Sequence, residues 1–324
     1  MKEMLYYDYM EEQHHKSKIK KILKWVGIVT LSVLVLCGSF GITYFALIKN
    51  YNNNKVSSLQ SNTDNSNENN NTIDNNVSDN NNTNEINNNT NSINQIHQIS
   101  KYPLPKVDET TQDRVIDIYY SDEKQVFLTF DDGPSQTVTP TILDILKQNN
   151  VKATFFTLGS RAELNPDILK RAYDEGHYIA NHGYSHVYSS IYADPQNVLD
   201  EYNKTEQIIK EAIKNPDYNS YFFRFPGGSS GGPYDDIKIQ AKQLLAENNI
   251  VFTNWNCLTG DAAGKTSKEE MMQELIETIG EQKSLIVLMH DAGDKQETAN
   301  LLPEIIQYFK ENGYVFKNFY DIMK

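Results

Sequence analysis

Cysteine is nearly absent: the 324-residue chain has two, Cys37 in an apolar N-terminal stretch and Cys257 far downstream. A disulfide framework is excluded, and so is a zinc site built from cysteine. Basic charge is also short. Thirty Lys and Arg stand against 43 Asp and Glu, a formal charge of −13. No basic stripe exists to neutralise phosphates, which argues against nucleic acid or an anionic lipid surface as a ligand. A neutral or cationic ligand is easier to accommodate.

One long apolar run is present, over residues 25–48, and it carries no charge. A helix of that length spans roughly 36 Å, enough to cross a bilayer. Lys16, Lys18, Lys20, Lys21 and Lys24 precede it, whereas only Lys49 and Lys55 follow closely. The positive-inside rule puts 1–24 in the cytoplasm as a basic tail, makes 25–48 a transmembrane signal anchor and places everything after Asn50 outside. A cleaved signal peptide wants a small-x-small exit site, and Ala46 stands alone there. A lipoprotein wants a small residue before its cysteine, and Leu36 precedes Cys37. Residues 49–100 are dominated by Asn, with no helical or strand period. Such a tract buries too little apolar surface to offset its chain entropy and is expected to be a disordered tether. Its typical end-to-end distance is about 40 Å, and its full stretch roughly 165 Å.

From residue 101 to 324 the composition becomes globular. Strands are expected over 125–130, 153–158, 177–181, 221–225, 250–255, 284–289 and 314–316. Helices are expected over 139–148, 166–175, 195–214, 234–247, 268–280 and 298–311. Continuous apolar strands alternating with helices predict an α/β domain with a parallel sheet covered on both faces. About seven such units favour a barrel over an open doubly wound sheet.

Polar residues that break this pattern gather at the C-terminal ends of the expected strands, where a barrel has its mouth. His182 and His186, four apart, face the same way on one turn, and Asp132 is the natural third ligand for a catalytic metal with open positions. The Asp131-Asp132 pair can simply begin the turn at Gly133-Pro134. Alternatively it divides labour: one carboxylate holds the metal and the other takes a proton from water. Arg224, ending an apolar strand, is placed to pair with that second carboxylate. Tyr184, Tyr188, Tyr192 and Tyr221 can stack on sugar rings or serve as half-buried packing.

TFDDGP at 129–134, HGYSH at 182–186, RFPGG at 224–228, NW at 254–255 and LMH at 288–290 occur in this order. Together they resemble the polysaccharide deacetylases, the NodB-like domain of carbohydrate esterase family four, over about 124–324. The resemblance implies a distorted (β/α)7 barrel, with Asp131 as catalytic base and Asp132, His182 and His186 as ligands of one divalent ion. By the same resemblance that ion is expected to be zinc, with cobalt or nickel as substitutes. It further implies that Arg224 orients the base and that the Gly227 N–H donates to the oxyanion. Trp255 and Leu288 wall the acetyl pocket, and His290 is the general acid. The expected substrate is an N-acetylated polysaccharide, and the anchor points to peptidoglycan, acted on by a monomer at the outer face of the cell membrane. Chitooligosaccharide, xylan or an exopolysaccharide are the alternatives, as is a catalytically impaired glycan-binding protein.

Two positions depart from the family pattern. Gly183 stands where Ser or Thr usually follows the first histidine. Asn254 stands where Asp usually precedes the tryptophan and tunes the acid histidine. A neutral amide predicts a lower pKa for His290, unless Asp261 or Asp291 supplies the charge.

Overall fold

The computed structural model describes residues 103–323. The basic tail, the membrane helix and the linker expected over 1–24, 25–48 and 49–100 lie outside the described residues. Among the described residues, no helix is long and apolar enough to cross a membrane.

Among the described residues eight strands form one sheet: β1 (Gln125–Asp131), β2 (Thr154–Thr157), β3 (Tyr178–Asn181), β4 (Phe222–Phe223), β5 (Val251–Phe252), β6 (Cys257–Leu258), β7 (Ser284–His290) and β8 (Val315–Lys317). Nine helices accompany them among the described residues: α1 (Thr111–Ile118), α2 (Val138–Gln148), α3 (Gly159–Leu164), α4 (Pro166–Asp174), α5 (Tyr188–Ile191), α6 (Pro195–Ile213), α7 (Asp235–Glu247), α8 (Lys268–Ile279) and α9 (Gln296–Glu311). A short 3₁₀ helix, Phe319–Ile322, closes the described chain.

The strand order is β5-β4-β3-β2-β1-β7-β6, and every pairing is parallel. β7 pairs with β1 along its whole length, so β2 and β8 must share the other edge. β2 takes Thr129 to Asp131 and β8 takes Gln125 to Phe127. Among the described residues no ladder joins β5 to β6. The expected seven-stranded barrel is therefore a curled parallel half-barrel with an open seam. The strand expected over 250–255 shortens to Val251–Phe252, and a separate strand, Cys257–Leu258, follows it across the seam. The Tyr119 hydroxyl accepts the Asn254 N–H, and the Asn256 side chain bonds the β7 backbone at Ser284 and Ile286.

Alternation along the strands sorts the core into two sides. Val126, Leu128, Phe130, Leu285, Val287 and Met289 face outward and meet the helices. Phe127, Phe156, Tyr178, Phe222 and Ile286 face inward, where Val115 and Ile118 of α1 and Phe319 of the 3₁₀ helix join them. Helix α1 was not foreseen, because Val115 and Ile118 are its only large buried apolar residues. The interior beneath the strand ends is thus filled, so the polar positions farther along each strand form a floor for the mouth.

Helix α6 braces the mouth from outside. Asp194 caps it by accepting the Gln196 N–H, Pro195 occupies its first turn, and it ends at Lys214 with φ 58°. Val198, Tyr202, Thr205 and Ile209 are its buried face.

Candidate active site

The inward row of β1 runs Phe127, Thr129, Asp131, and that of β7 runs Ile286, Leu288, His290. Both rows become more polar towards the mouth, and Asp131 lies directly beside His290 in register. Asp131 is 2% exposed. Arg224 Nη1 donates to Asp131 Oδ1 across 2.8 Å and to the Thr129 hydroxyl across 2.7 Å, while Nη2 donates to the Asn254 carbonyl at 3.0 Å. The guanidinium also lies 3.9 Å from the centre of the Phe156 ring. Arg224 is fully buried, so each of these bonds acts in a dry environment and holds Asp131 in one orientation.

After Asp131 the backbone turns sharply. Asp132 adopts φ 73°, in the left-handed region, and His186 adopts φ 57°. Strain of this kind collects at functional sites. Asp132 Oδ1 lies 3.5 Å from Nε2 of both His182 and His186. That oxygen is buried and has no hydrogen-bond partner. The three ligand atoms all fall within 4.8 Å of one another. Burial holds the His182 pKa below its ordinary value, against the pull of Asp131 and Asp132. Its Nδ1–H donates to the Arg224 carbonyl across 2.7 Å, leaving the Nε2 lone pair aimed at the cluster. An unpartnered carboxylate oxygen, two imidazole nitrogens and one anchored tautomer form a donor set that could hold a divalent metal ion.

His290 has a different partner from the one its neighbourhood in sequence suggests. Its Nδ1 lies 2.8 Å from Asp261 Oδ1, and its backbone N–H donates to Asp261 Oδ2. Thr298 donates to the same Oδ2 across 2.8 Å. Burial opposes the imidazolium, but the hydrogen bond and charge of Asp261, with Asp131 and Asp132 adding, push the His290 pKa up to about 9. Asn254 plays no part: its side chain donates to the Ser229 hydroxyl and accepts the Ser229 N–H. The lowered histidine pKa expected from Asn254 is therefore corrected, because a carboxylate from the turn after β6 supplies the charge.

The remaining expected residues also reach the mouth. Gly227 is exposed with φ 70°, and its N–H donates to no acceptor among the described residues. Trp255 lies near Arg224, 5.8 Å from guanidinium carbon to ring centre, and rests against Gly228. Leu288 is on the inward row of β7, beside Thr129. A cavity of about 690 Å³ opens beside them, and its lining includes Gly227, Asn254, Trp255, Glu277 and Glu281.

Several contributors escaped the sequence reading. Glu201 of α6 accepts the N–H groups of Tyr184 and Ser185, each at 3.0 Å, and the Ser185 hydroxyl. It thereby fixes the turn between the two histidines. A Cβ at Gly183 would meet that carboxylate at 3.1 Å. Its signal was an acid on the apolar row of α6, three residues after Val198 and four before Thr205. Asp291, the other carboxylate offered for tuning His290, is instead buried against Gly133, where any side chain would collide with its carboxylate. Thr139 donates to it across 2.6 Å, its own N–H donates to the Asp131 carbonyl, and burial pushes its pKa up to about 7.

Comparison with known proteins gives a consistent picture. A family model for polysaccharide deacetylase matches residues 119–250. That segment holds Asp131, Asp132, His182, His186, Arg224 and Gly227, and Asp261 and His290 follow it. A peptidoglycan-N-acetylglucosamine deacetylase of Bacillus cereus is 32% identical over 208 residues, covering 63% of this chain and 90% of the relative. The solved structure of a Streptococcus mutans CE4 esterase superposes with TM-score 0.58 at 33% identity, over 64% of this chain and 90% of that one. The catalytic domain of a peptidoglycan N-acetylglucosamine deacetylase from Eubacterium rectale superposes with TM-score 0.55 at 33% identity, over 60% and 88%.

Proposed function

The chain belongs to the polysaccharide deacetylase family, and on that footing we propose that it hydrolyses the N-acetyl amide of N-acetylglucosamine units in peptidoglycan, releasing acetate. One observation carries the reading: a buried, unpartnered Asp132 oxygen faces two histidine nitrogens, with Asp131 and His290 side by side on the adjoining strands.

Asp132, His182 and His186 would hold a divalent ion, zinc by the chemistry of one carboxylate and two imidazoles. When bound, such an ion supplies Lewis acidity towards the amide carbonyl. Asp131, held by Arg224, is oriented to take the proton of the attacking water. The free Gly227 N–H is a donor for the negative charge that develops on the acyl oxygen. His290, kept protonated by Asp261, delivers the proton that the amine needs in order to leave. Trp255 and Leu288 are assigned to the walls around the acetyl methyl. The cavity beside Gly227 and Trp255 has the size of a ligand pocket and offers room for neighbouring sugars.

The proposal extends to placement. Residues 25–48 anchor the chain as a single-pass membrane protein, 49–100 tether it, and 101–324 act outside the cell as a monomer. The charge-free apolar run and the lysines before it support this orientation. Protease added to intact cells should release the catalytic domain and leave the basic tail protected; protection of the domain would contradict it. The substrate is tested by incubating the purified full-length chain with peptidoglycan, chitooligosaccharide and acetylated xylan. Peptidoglycan should yield acetate and free glucosamine amines fastest. A clear preference for either other glycan would overturn the assignment.

A further inference from the structure

Gly227 lacks a side chain for a reason beyond its positive φ. A Cβ there would meet Tyr188, with Cζ at 2.9 Å, Cε2 at 3.3 Å and the hydroxyl oxygen nearer still. Tyr188 begins α5, two residues after His186, and its phenol fills the space that a side chain at 227 would take. Its hydroxyl therefore lies against the backbone of the residue that offers a free N–H.

The ring is fixed from two sides. The His186 ring is 5.4 Å away, centre to centre, and the Tyr192 ring 5.8 Å. Tyr192 is itself tied down by donating to the Pro226 carbonyl across 2.7 Å, which secures the same loop. Yet the two hydroxyls differ. Tyr192 is 2% exposed and bonded, whereas Tyr188 is 39% exposed and its hydroxyl bonds nothing among the described residues. A phenol with a locked ring and an unengaged hydroxyl is a preorganised donor, which is what an oxyanion site requires.

We propose that the Tyr188 hydroxyl is a second hydrogen-bond donor to the acyl oxygen of the substrate, acting beside the Gly227 N–H. This rests on the reading of the site as an amide hydrolase. The bond is made as negative charge builds on that oxygen and is relinquished when the carbonyl of acetate re-forms; no proton changes hands. Because the bond strengthens in the transition state, it acts on kcat.

Tyr188→Phe removes one oxygen and retains the ring contacts. With the zinc-loaded full-length chain, kcat should fall about 100-fold and KM should change by less than about twofold. Affinity for a tetrahedral phosphonamidate analogue of the N-acetyl group should weaken by a similar factor. Zinc affinity by calorimetry and the melting temperature should stay as in the parent. An unchanged kcat in an active background would overturn the role of the hydroxyl alone. So would a rise confined to KM, which marks a sugar platform, or a parallel loss of zinc affinity, which marks support of His186. A parent chain that releases no acetate from any N-acetylated glycan would overturn the hydrolase reading, and this donor with it.

Discussion

His290 Nδ1 and Asp261 Oδ1 sit 2.8 Å apart, joining the end of β7 to the turn that follows β6. The pair is buried, and a second bond runs from the His290 backbone to the other Asp261 oxygen. It sets the acid half of the proposed reaction.

The first prediction concerns pH. An acid histidine works only while protonated, and Asp261 helps to push the His290 pKa up to about 9, so activity should fall as pH rises past that region. A divalent ion in the Asp132 cluster offsets the charges of Asp131 and Asp132, so the Asp261 contribution is the one that persists. Asp261→Asn removes that charge and leaves burial unopposed. The alkaline limb of kcat/KM should then move about 1–3 pH units lower. Asn254→Asp should leave the limb in place, since position 254 faces Ser229. A limb moved by Asn254→Asp and unmoved by Asp261→Asn would reverse the assignment.

A second prediction follows from the burial of Arg224. Arg224→Met would leave the Asp131 carboxylate buried without its ion partner. Breaking a buried pair from one side costs about 3–5 kcal/mol, readable as a lowered urea midpoint at unchanged m-value. Arg224→Lys keeps the charge but not the fork that reaches Asp131, Thr129 and the Asn254 carbonyl together. It should recover part of the stability and little of the kcat. Activity of Arg224→Lys equal to that of the parent would show that charge, not orientation, is what Asp131 needs.

The third prediction addresses the filled interior. Phe319 touches Phe127, Phe156, Tyr178 and Phe222 within centroid distances of 4.8–6.0 Å. Phe319→Ala should cost about 3–5 kcal/mol, whereas removal of the half-exposed Ile276 of α8 should cost well under about 1 kcal/mol. Similar midpoint shifts for both would show that the 3₁₀ helix contributes little to the fold.

Much of this was legible in the chain because the relevant residues violate a local pattern. Gln125 to Asp131 is buried on both faces, so its continuous apolar run read correctly as a strand, and the two aspartates at its end stood out. His182, His186 and Arg224 were visible for the same reason. Closure of the barrel was not visible, because it depends on whether β5 meets β6, a pairing that no local period encodes. Asp261 stood beside Asp291 as a source of the charge that Asn254 lacks, and only the fold decides between them; Asn254 is next to Trp255 in sequence and turned towards Ser229 in space. Glu201 and Thr298 come from helices that carry no motif, and only the fold brings them to the mouth; Tyr188 was visible as an aromatic near His186, but its approach to Gly227 was not.

The central claim is that Asp132, His182 and His186 hold a divalent ion on which acetate release depends. The direct measurement is zinc titration of the chelator-treated full-length chain, followed by calorimetry and by acetate release from peptidoglycan. The account predicts one tight site, activity lost on chelation and restored at one equivalent, and far weaker zinc binding by Asp132→Asn with the fold retained. Undiminished acetate release from the metal-free chain, or zinc binding by Asp132→Asn as tight as in the parent, would contradict it.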